Sequence, residues 1–176
     1  FEADRCVAVS PSDTAPALVA LDASMVIRNV RGERVVAAED FFMAPAVDIT
    51  RMTVLKPGDI LTTIRIPETW AGASFYFEKV ADRNSWDFAL VNVATAMRVD
   101  STGTIEDARI ACGAVQCTPR RLTDVENLVK GRAQNEETAE LAAGAATAAA
   151  RPLNYNHYKI PLMQNLVKRS LRTSEA

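Results

Sequence analysis

The stretch "FYFEKVADRNSWDFALVNVATAMRV", Phe75 to Val99, predicts part of a buried sheet. Its two ends are rich in the apolar and aromatic residues that form strands of a buried sheet. The segment between them contains no Gly and no Pro, and it carries a Trp where tight turns usually have small polar residues. The stretch therefore predicts two strands joined by a loop. The tryptophan and charged residues of this loop are not needed to form a turn.

The chain that follows this stretch predicts the rest of one domain. "TIEDARIACGAV" is a third strand after the turn "DSTG", so the three strands form an antiparallel meander. From Pro119 onward the pattern becomes helical. "TDVENLVKG" has a Thr cap and a Glu three residues later, and Asn135 caps the Ala-rich helix after it. The last helix carries apolar residues at helical spacing, namely Ile160, Met163, Val167 and Leu171.

The chain before the stretch predicts a separate α+β unit. "RCVAVS", from Arg5 to Ser10, is interpreted as a strand, and Ser12 or Asp13 can cap the helix that follows. Two strands and a short helical turn come next, and Pro67 ends the alternating strand "DILTTIRIP". With "ETWAGA" as a linker, the sequence predicts an α+β protein with domains at 1–67 and 72–176.

Composition narrows the class of protein. The 176 residues are 48% hydrophobic and 24% charged, as in an ordinary globular protein. The net charge of −2 gives no electrostatic reason to expect nucleic acid or anionic lipid as a partner. No apolar run is long enough to span a bilayer. Three cysteines favour a reducing compartment, usually the cytoplasm, with the periplasm left open. The start without Met indicates that the chain begins inside a longer protein.

The sequence contains no clear match to the common catalytic or metal-binding motifs. His157 is the single histidine, it lies in a polar stretch, and no G-x-S-x-G motif is present. Cys112 and Cys117 are better interpreted as structural thiols than as metal ligands, because no second Cys/His cluster accompanies them. Neither of the common glycine-rich phosphate-binding motifs occurs.

The loop at residues 81–88 thus carries the functional prediction, together with Lys79 before it. In a purely structural interpretation, Arg83 and Asp87 form a surface ion pair and Trp86 packs beneath the loop. In a functional interpretation, the loop is one wall of a ligand pocket. Two cations would then face an electron-rich or anionic group, with an aromatic ring for stacking and a carboxylate to tune it.

Six segments occur in the order seen in one family: "CVAVSPSDTAPALVALDA", "GERVVAAEDFF", "LKPGDILTTIRIP", "FEKVADRNSWDFALVNVA", "ARIACGAVQCTPRRL" and "NHYKIPLMQNLVKRSL". The chain resembles the FAD-binding (medium) subunit of molybdenum hydroxylases, the xanthine, aldehyde and carbon-monoxide dehydrogenase type. The resemblance runs along nearly the whole chain. It implies the end of an FAD-binding subdomain followed by a domain of a three-stranded antiparallel sheet packed with helices.

The resemblance also implies a function and partners. FAD would pass electrons from molybdenum and [2Fe-2S] centres to an acceptor. The molybdopterin-binding large subunit and the [2Fe-2S] small subunit would be the partners. An N-terminal half of this subunit would hold the FAD pyrophosphate in glycine-rich loops. Some relatives carry a [4Fe-4S] cluster upstream of the matching segment, and Cys6 is not assigned as a ligand of it. The substrate would bind on another polypeptide.

The resemblance implies that the following residues bind the cofactor: Asp13, Ile60, Leu61, Lys79, Arg83, Trp86 and Asp87. Asp13 matches an acidic residue that contacts FAD, and Ile60 and Leu61 match a contact beside the flavin. Lys79 matches a lysine near the ring system, where its charge would favour the reduced, negatively charged flavin. The loop residues would gate the exposed face of the ring. Trp86 stands where some relatives have a charged residue. Because this loop governs access to the flavin, the resemblance does not identify the electron acceptor.

Two alternatives stay open. One is a subunit-interaction domain that keeps this fold without binding flavin. The other is an unrelated α+β module that binds a small molecule. Flavin absorbance in the purified protein separates the first alternative from the electron-transfer function.

Overall fold

The computed structural model describes residue 1 and residues 6–172, and in them it has two antiparallel sheets and five α-helices. The first sheet contains β1 (Ser24–Asn29), β2 (Gly32–Ala37) and β3 (Ile60–Arg65) in the order β2-β1-β3. Helix α1 (Thr14–Ala20) precedes this sheet, and the short helix α2 (Ala38–Phe41) follows β2. The predicted strand–turn–strand unit and the strand that ends before Pro67 are confirmed.

The second sheet is the predicted meander with one strand added. It contains β4 (Ser74–Val80), β5 (Val91–Val99), β6 (Ile105–Gly113) and β7 (Arg120–Arg121) in sequential order, and every neighbouring pair is antiparallel. The sequence did not predict β7, because two arginines carry no strand periodicity. Each sheet lies on one side of the predicted domain boundary, and the exact boundary stays a prediction.

Three helices cover one face of the second sheet: α3 (Thr123–Val129), α4 (Glu136–Thr147) and α5 (Lys159–Leu171). The Asn135 cap is confirmed, since its side-chain oxygen accepts the Thr138 N–H at 2.9 Å. The predicted capping box of α3 is wrong. Leu122 precedes the helix, and the Glu126 carboxylate accepts the Ile110 N–H at 2.9 Å instead of turning back to the helix start.

Two further local predictions fail. In the predicted strand "RCVAVS", Arg5 lies outside the described residues, and residues 6–10 have no strand ladder; the Ser10 N–H donates to the carbonyl of Gln116. The stretch interpreted as a linker contains a 3₁₀ turn at Glu68–Trp70. Trp70 is buried there, and the Arg98 guanidinium lies 5.0 Å from the centre of its ring. This segment is therefore packed against β5 and does not act as a free tether.

Helix α1 joins the two halves of the structure. Val19 and Ala20 pack in one apolar cluster with residues of the first sheet and with Ala94 and Ala111 of the second. The Arg109 side chain of β6 donates to the carbonyl of Val19 at 2.8 Å, at the C-terminal end of α1. A cation at this end of a helix also opposes the partial negative charge of the exposed carbonyls. The C-terminal end of α1 is thereby held against the second sheet.

The docking of α5 gives a stability prediction. Leu171 is 1% exposed and packs in the core formed by the second sheet and its helices. Leu171→Ala is expected to lower the free energy of unfolding by about 2–4 kcal/mol, because the truncation leaves a cavity. Chemical denaturation measures this loss. Leu141→Ala, at a position 44% exposed on α4, is the control and is expected to change stability by less than about 1 kcal/mol. Equal effects of the two variants would contradict the docking of α5.

Candidate functional site

Three residues lie side by side across the second sheet. Lys79 of β4 is the register partner of Asn92 of β5, and Asn92 is the register partner of Gly113 of β6. We call these three residues the cross-strand row. Side chains of directly opposed residues project from the same face of a sheet. The row faces the start of α1, where Asp13 and Pro16 are located.

The charges of the site are an ion pair with two further hydrogen bonds. The Lys79 ammonium donates to Asp13 Oδ2 at 2.7 Å and to the backbone carbonyl of Asp87 at 2.6 Å. Asn92 Nδ2 donates to the other carboxylate oxygen, Asp13 Oδ1, at 3.3 Å. The side chains of Lys79 and Asp13 are 25% and 41% exposed. The arrangement places a cation and a carboxylate at a rim that a ligand can reach.

Asn92 and Gly113 were not predicted as site residues. Asn92 is 1% exposed, and its Oδ1 atom is buried without a hydrogen-bond partner among the described residues. A Cβ atom on Gly113 would lie 2.2 Å from Asn92 Oδ1 and 2.8 Å from Pro16 Cγ, so only glycine allows this approach. The sequence did contain a signal, because Asn92 is a polar residue inside the apolar run from Phe88 to Ala96.

The loop at residues 81–88 is closed by its own hydrogen bonds. The Asp87 carboxylate accepts the backbone N–H of Arg83 at 3.0 Å, and the Arg83 guanidinium donates to the carbonyl of Trp86 at 2.5 Å. The Arg83–Asp87 side-chain ion pair of the purely structural interpretation is therefore not formed. Trp86 is 93% exposed, so the purely structural interpretation, in which it packs beneath the loop, is wrong. Its φ of +56° is uncommon for a residue other than glycine.

The remaining predicted residues lie on the other sheet. Ile60 and Leu61 begin β3; Ile60 is exposed, and Leu61 packs against the cluster that contains α1. No hydrogen bond or ion pair among the described residues joins them to Asp13 or Lys79. The structure thus brings Asp13, Lys79 and the loop together directly. It relates Ile60 and Leu61 to them only through α1.

The start of β3 is fixed by Asp59, whose side chain is 2% exposed. Its carboxylate accepts hydrogen bonds from Asn29 and Arg34, each at 2.7 Å, and from the Lys56 N–H at 2.9 Å. The hydrogen bond from Asn29, followed by those from Lys56 and Arg34, holds the pKa of the Asp59 carboxyl well below its ordinary value. The charged carboxylate is thus the form that the folded chain favours.

This lowered pKa predicts a pH dependence of stability. A carboxyl with a lowered pKa in the folded state stabilises the fold above its unfolded pKa of about 3.9, and the contribution is lost as the pH falls through the folded pKa. Urea unfolding of Asp59→Asn is therefore expected to depend less steeply on pH between about pH 5 and 2 than that of the unmodified chain. The exposed Asp124→Asn is the control. Parallel curves for the unmodified chain and Asp59→Asn would contradict this role.

Other reactive side chains lie outside this site. His157 is exposed in the segment before α5. Cys112 and Cys117 are both buried, and burial raises the pKa of the Cys112 thiol to about 12. Among the described residues, no group of three His, Cys, Asp or Glu side chains could hold a metal ion. None of the helices in the described part of the chain has the length and apolar character needed to cross a bilayer.

A cavity lies away from the cross-strand row. It has a volume of about 610 Å³, including space open to solvent, and lies between the N-terminal segment, residues 114–116 and α5. Val9, Ile160 and Met163 form apolar walls, and the Lys159 ammonium donates to the carbonyl of Ala114 at 2.9 Å. Burial lowers the pKa of Lys159. The cavity shares no lining residue with the row or with Asp13.

Comparison with known proteins identifies the family. Residues 76–174, more than half of the chain, match the family model described as the CO dehydrogenase flavoprotein C-terminal domain. The chain belongs to this family. Residues 6–69 match a second family model, described as the FAD binding domain in molybdopterin dehydrogenase. The resemblance seen in the sequence is confirmed.

Curated relatives support the same assignment. The chain is 30% identical to the aldehyde oxidoreductase FAD-binding subunit PaoB of Escherichia coli over 98% of its own length and 51% of the relative's. It is 31% identical to the carbon monoxide dehydrogenase medium chain of Hydrogenophaga pseudoflava, over 94% of this chain and 57% of the relative's. The chain therefore spans about half the length of the curated relatives it matches.

Solved structures share the fold. The carbon monoxide dehydrogenase of Hydrogenophaga pseudoflava that lacks the Mo-pyranopterin moiety of its cofactor matches with a TM-score of 0.81 and 31% identity, over 92% of this chain and 56% of that one. Quinoline 2-oxidoreductase of Pseudomonas putida 86 matches with a TM-score of 0.77 and 25% identity, over 92% and 55%. The predicted α+β class is confirmed.

Proposed function

We propose that this chain is part of an FAD-binding subunit of a molybdenum-containing hydroxylase or dehydrogenase, and that it takes part in electron transfer. The observation that carries the proposal is the match of residues 6–69 and 76–174 to family models described as FAD-binding and flavoprotein domains. Relatives with these matches are named as FAD-binding or medium subunits. The division into domains at 1–67 and 72–176 belongs to the same proposal.

The residues at the rim fit a flavin chemically. A flavin ring is flat, presents hydrogen-bonding groups at one end and gains negative charge when reduced. The rim offers the partly exposed Lys79 ammonium for that charge and the partly exposed Asp13 carboxylate as an acceptor. Bound FAD would supply the redox chemistry, since protein side chains do not carry electrons in this way.

The residues of the chain would then have distinct roles. Lys79 and Asp13 would fix the electrostatic environment of the ring, and Ile60 and Leu61 would supply apolar and backbone contact from the first sheet. The loop would limit access to the exposed face through Arg83, Trp86 and Asp87. The exposure of Trp86 suits this role, because an aromatic side chain at 93% exposure is available for stacking.

The partners would be the other subunits of such an enzyme. Several relatives are named as medium chains or medium subunits, which implies larger and smaller companions. The proposal therefore includes a large molybdopterin-binding subunit, a small [2Fe-2S] subunit, the rest of the FAD-binding subunit and a cytoplasmic location. A [4Fe-4S] cluster upstream, as in some members of the family, is compatible with it.

Flavin analysis of the purified complex tests the proposal. The complete complex that contains this chain is expected to show the visible spectrum of an oxidised flavin and to release about one FAD per copy of the chain on denaturation. Substrate added without an acceptor is expected to bleach that spectrum. A complex that assembles fully without flavin would refute the proposal and favour a subunit-interaction domain.

A further inference from the structure

We propose that Asn92 is a positioning residue for the flavin site: it holds the Asp13 carboxylate against Lys79 and so sets how much of the lysine charge reaches the flavin. The inference rests on the proposed function. It goes beyond it, because Asn92 reaches the site only through Asp13. Its side chain is 1% exposed, so it lies beneath the rim that a ligand can reach.

The two oxygens of Asp13 are held from two directions. Oδ2 accepts from the Lys79 ammonium at 2.7 Å, and Oδ1 accepts from Asn92 Nδ2 at 3.3 Å. Lys79 and Asn92 are themselves register partners on β4 and β5, so the sheet fixes the spacing of the two donors. A carboxylate that accepts a hydrogen bond at each oxygen is held in one orientation. The pair then presents a constant charge distribution to the ligand.

Stability alone does not explain an asparagine at this position. The buried Oδ1 atom has no partner among the described residues, and an unsatisfied buried acceptor destabilises a fold. The neighbouring residues on the same strand, Val91 and Val93, are apolar and fully buried. The amide is also accommodated only because Gly113 has no Cβ atom. A leucine or an alanine would remove the unsatisfied acceptor, so the contribution of the amide is its hydrogen bond to Asp13.

The second bond matters because the ion pair is partly exposed. With Asp13 41% exposed, water competes for its carboxylate, and exposed ion pairs contribute little by themselves. Without the Asn92 donor, the Asp13 side chain is expected to turn toward solvent for part of the time. Lys79 would then be less neutralised. A less neutralised cation beside the flavin favours the reduced form and raises its reduction potential.

The test is a double-mutant cycle in the complete complex, with the flavin potential as the readout. Asn92→Leu is expected to raise the potential, by less than Asp13→Asn does. In the Asp13→Asn background, Asn92→Leu is expected to cause no further shift, because the charge it positions is gone. Asn92→Ala, which adds no bulk, is expected to reproduce the result if the leucine variant does not assemble. No shift in the unmodified background, or equal shifts in both backgrounds, would overturn the inference.

Thr95→Val is the matched control. Thr95 is buried on the same strand but on the opposite face, where its hydroxyl contacts Ser170 Oγ at 3.1 Å. This variant is expected to lower the unfolding temperature and to leave the flavin potential unchanged. Asn92→Leu is expected to shift the flavin potential without lowering the unfolding temperature. A potential shift in Thr95→Val as large as that in Asn92→Leu would show a general effect of core substitutions and would overturn the inference.

Two measurements separate this inference from the proposed function. The FAD content of the unmodified complex decides the proposed function. Crystal structures of the complex with and without Asn92→Leu decide the inference even if no flavin is bound. Loss of the single 2.7 Å contact between Asp13 and Lys79, or a second Asp13 conformer, supports it. An unchanged Asp13 carboxylate overturns it.

Discussion

Lys79→Met in the complete complex is expected to lower the reduction potential of the bound flavin. The substitution retains most of the apolar stem and removes the ammonium. It also leaves the Asp13 carboxylate, which accepts from Lys79 at 2.7 Å, without its cation. The flavin would lose a positive neighbour and face an uncompensated negative one, and both changes disfavour the reduced, more negative form.

The size of the effect follows from Coulomb's law. At an effective dielectric of about 20, a unit charge about 4 Å away is worth about 4 kcal/mol. Solvent contact of the 25% exposed lysine reduces this. If about 1 kcal/mol of this interaction energy remains after screening, the flavin potential shifts by about 20 mV for a two-electron couple. Asp13→Asn removes the opposite charge and is expected to shift the potential upward, so the two variants should move the potential in opposite directions.

Spectroscopic redox titration measures both shifts. Lys130→Met is the control, because it removes the same charge from a surface ion pair with Asp107, just after α3. Its flavin potential is expected to be unchanged. Reduction of the molybdenum centre by substrate should also be unaffected in Lys79→Met. An unaltered potential in Lys79→Met with full FAD occupancy would show that the lysine is purely structural.

Glu126→Ala is expected to cause the largest loss of stability. Glu126 is 6% exposed, and its carboxylate accepts the buried Ile110 N–H and a forked pair of hydrogen bonds from Arg121. The pairing with Glu126 raises the pKa of the Arg121 guanidinium further above its already high value. Removing one partner of a buried ion pair costs about 3–5 kcal/mol. Here the buried Ile110 N–H loses its acceptor, and among the described residues Arg121 keeps only its pairing with Glu39.

Chemical denaturation again provides the measurement. Glu140→Gln is the control, since Glu140 is 59% exposed and pairs with Lys168 on the surface of α4 and α5. It is expected to change the free energy of unfolding by less than about 1 kcal/mol. Glu126→Gln should fall between the two, because its amide oxygen can still accept the Ile110 N–H. A loss below about 1 kcal/mol in Glu126→Ala would contradict the role of this carboxylate.

The elements that could be predicted are those in which local pattern and tertiary packing agree. The alternation in β3 and the apolar runs of β5 and β6 predicted strands, and Asn135 predicted the start of α4. The strand predicted from Arg5 to Ser10 is wrong. Its described residues pair with no neighbouring strand, although their composition suits a strand. β7 was missed because two residues paired with Ala111 and Cys112 carry no pattern.

Prediction of the site depended on the resemblance for its placement. Nothing in the spacing of Asp13 and Lys79, 66 positions apart, indicates that they meet. Glu126 fitted a capping box locally, but the unpaired Ile110 N–H of β6 was the stronger partner in three dimensions. The purely structural interpretation placed Trp86 beneath the loop, whereas its ring is 93% exposed and its backbone is left-handed. For Glu126, a distant group overrode a local preference.

Helix α1 has a consequence for how the chain folds during synthesis. Val19 and Arg109 are 90 positions apart in the sequence, yet the arginine binds the carbonyl at the end of this helix. While the ribosome is adding the intervening residues, the apolar side of α1 has no second sheet to cover it. Contacts between such distant residues form late and slow folding. The first sheet should therefore complete its packing only after β6 has emerged.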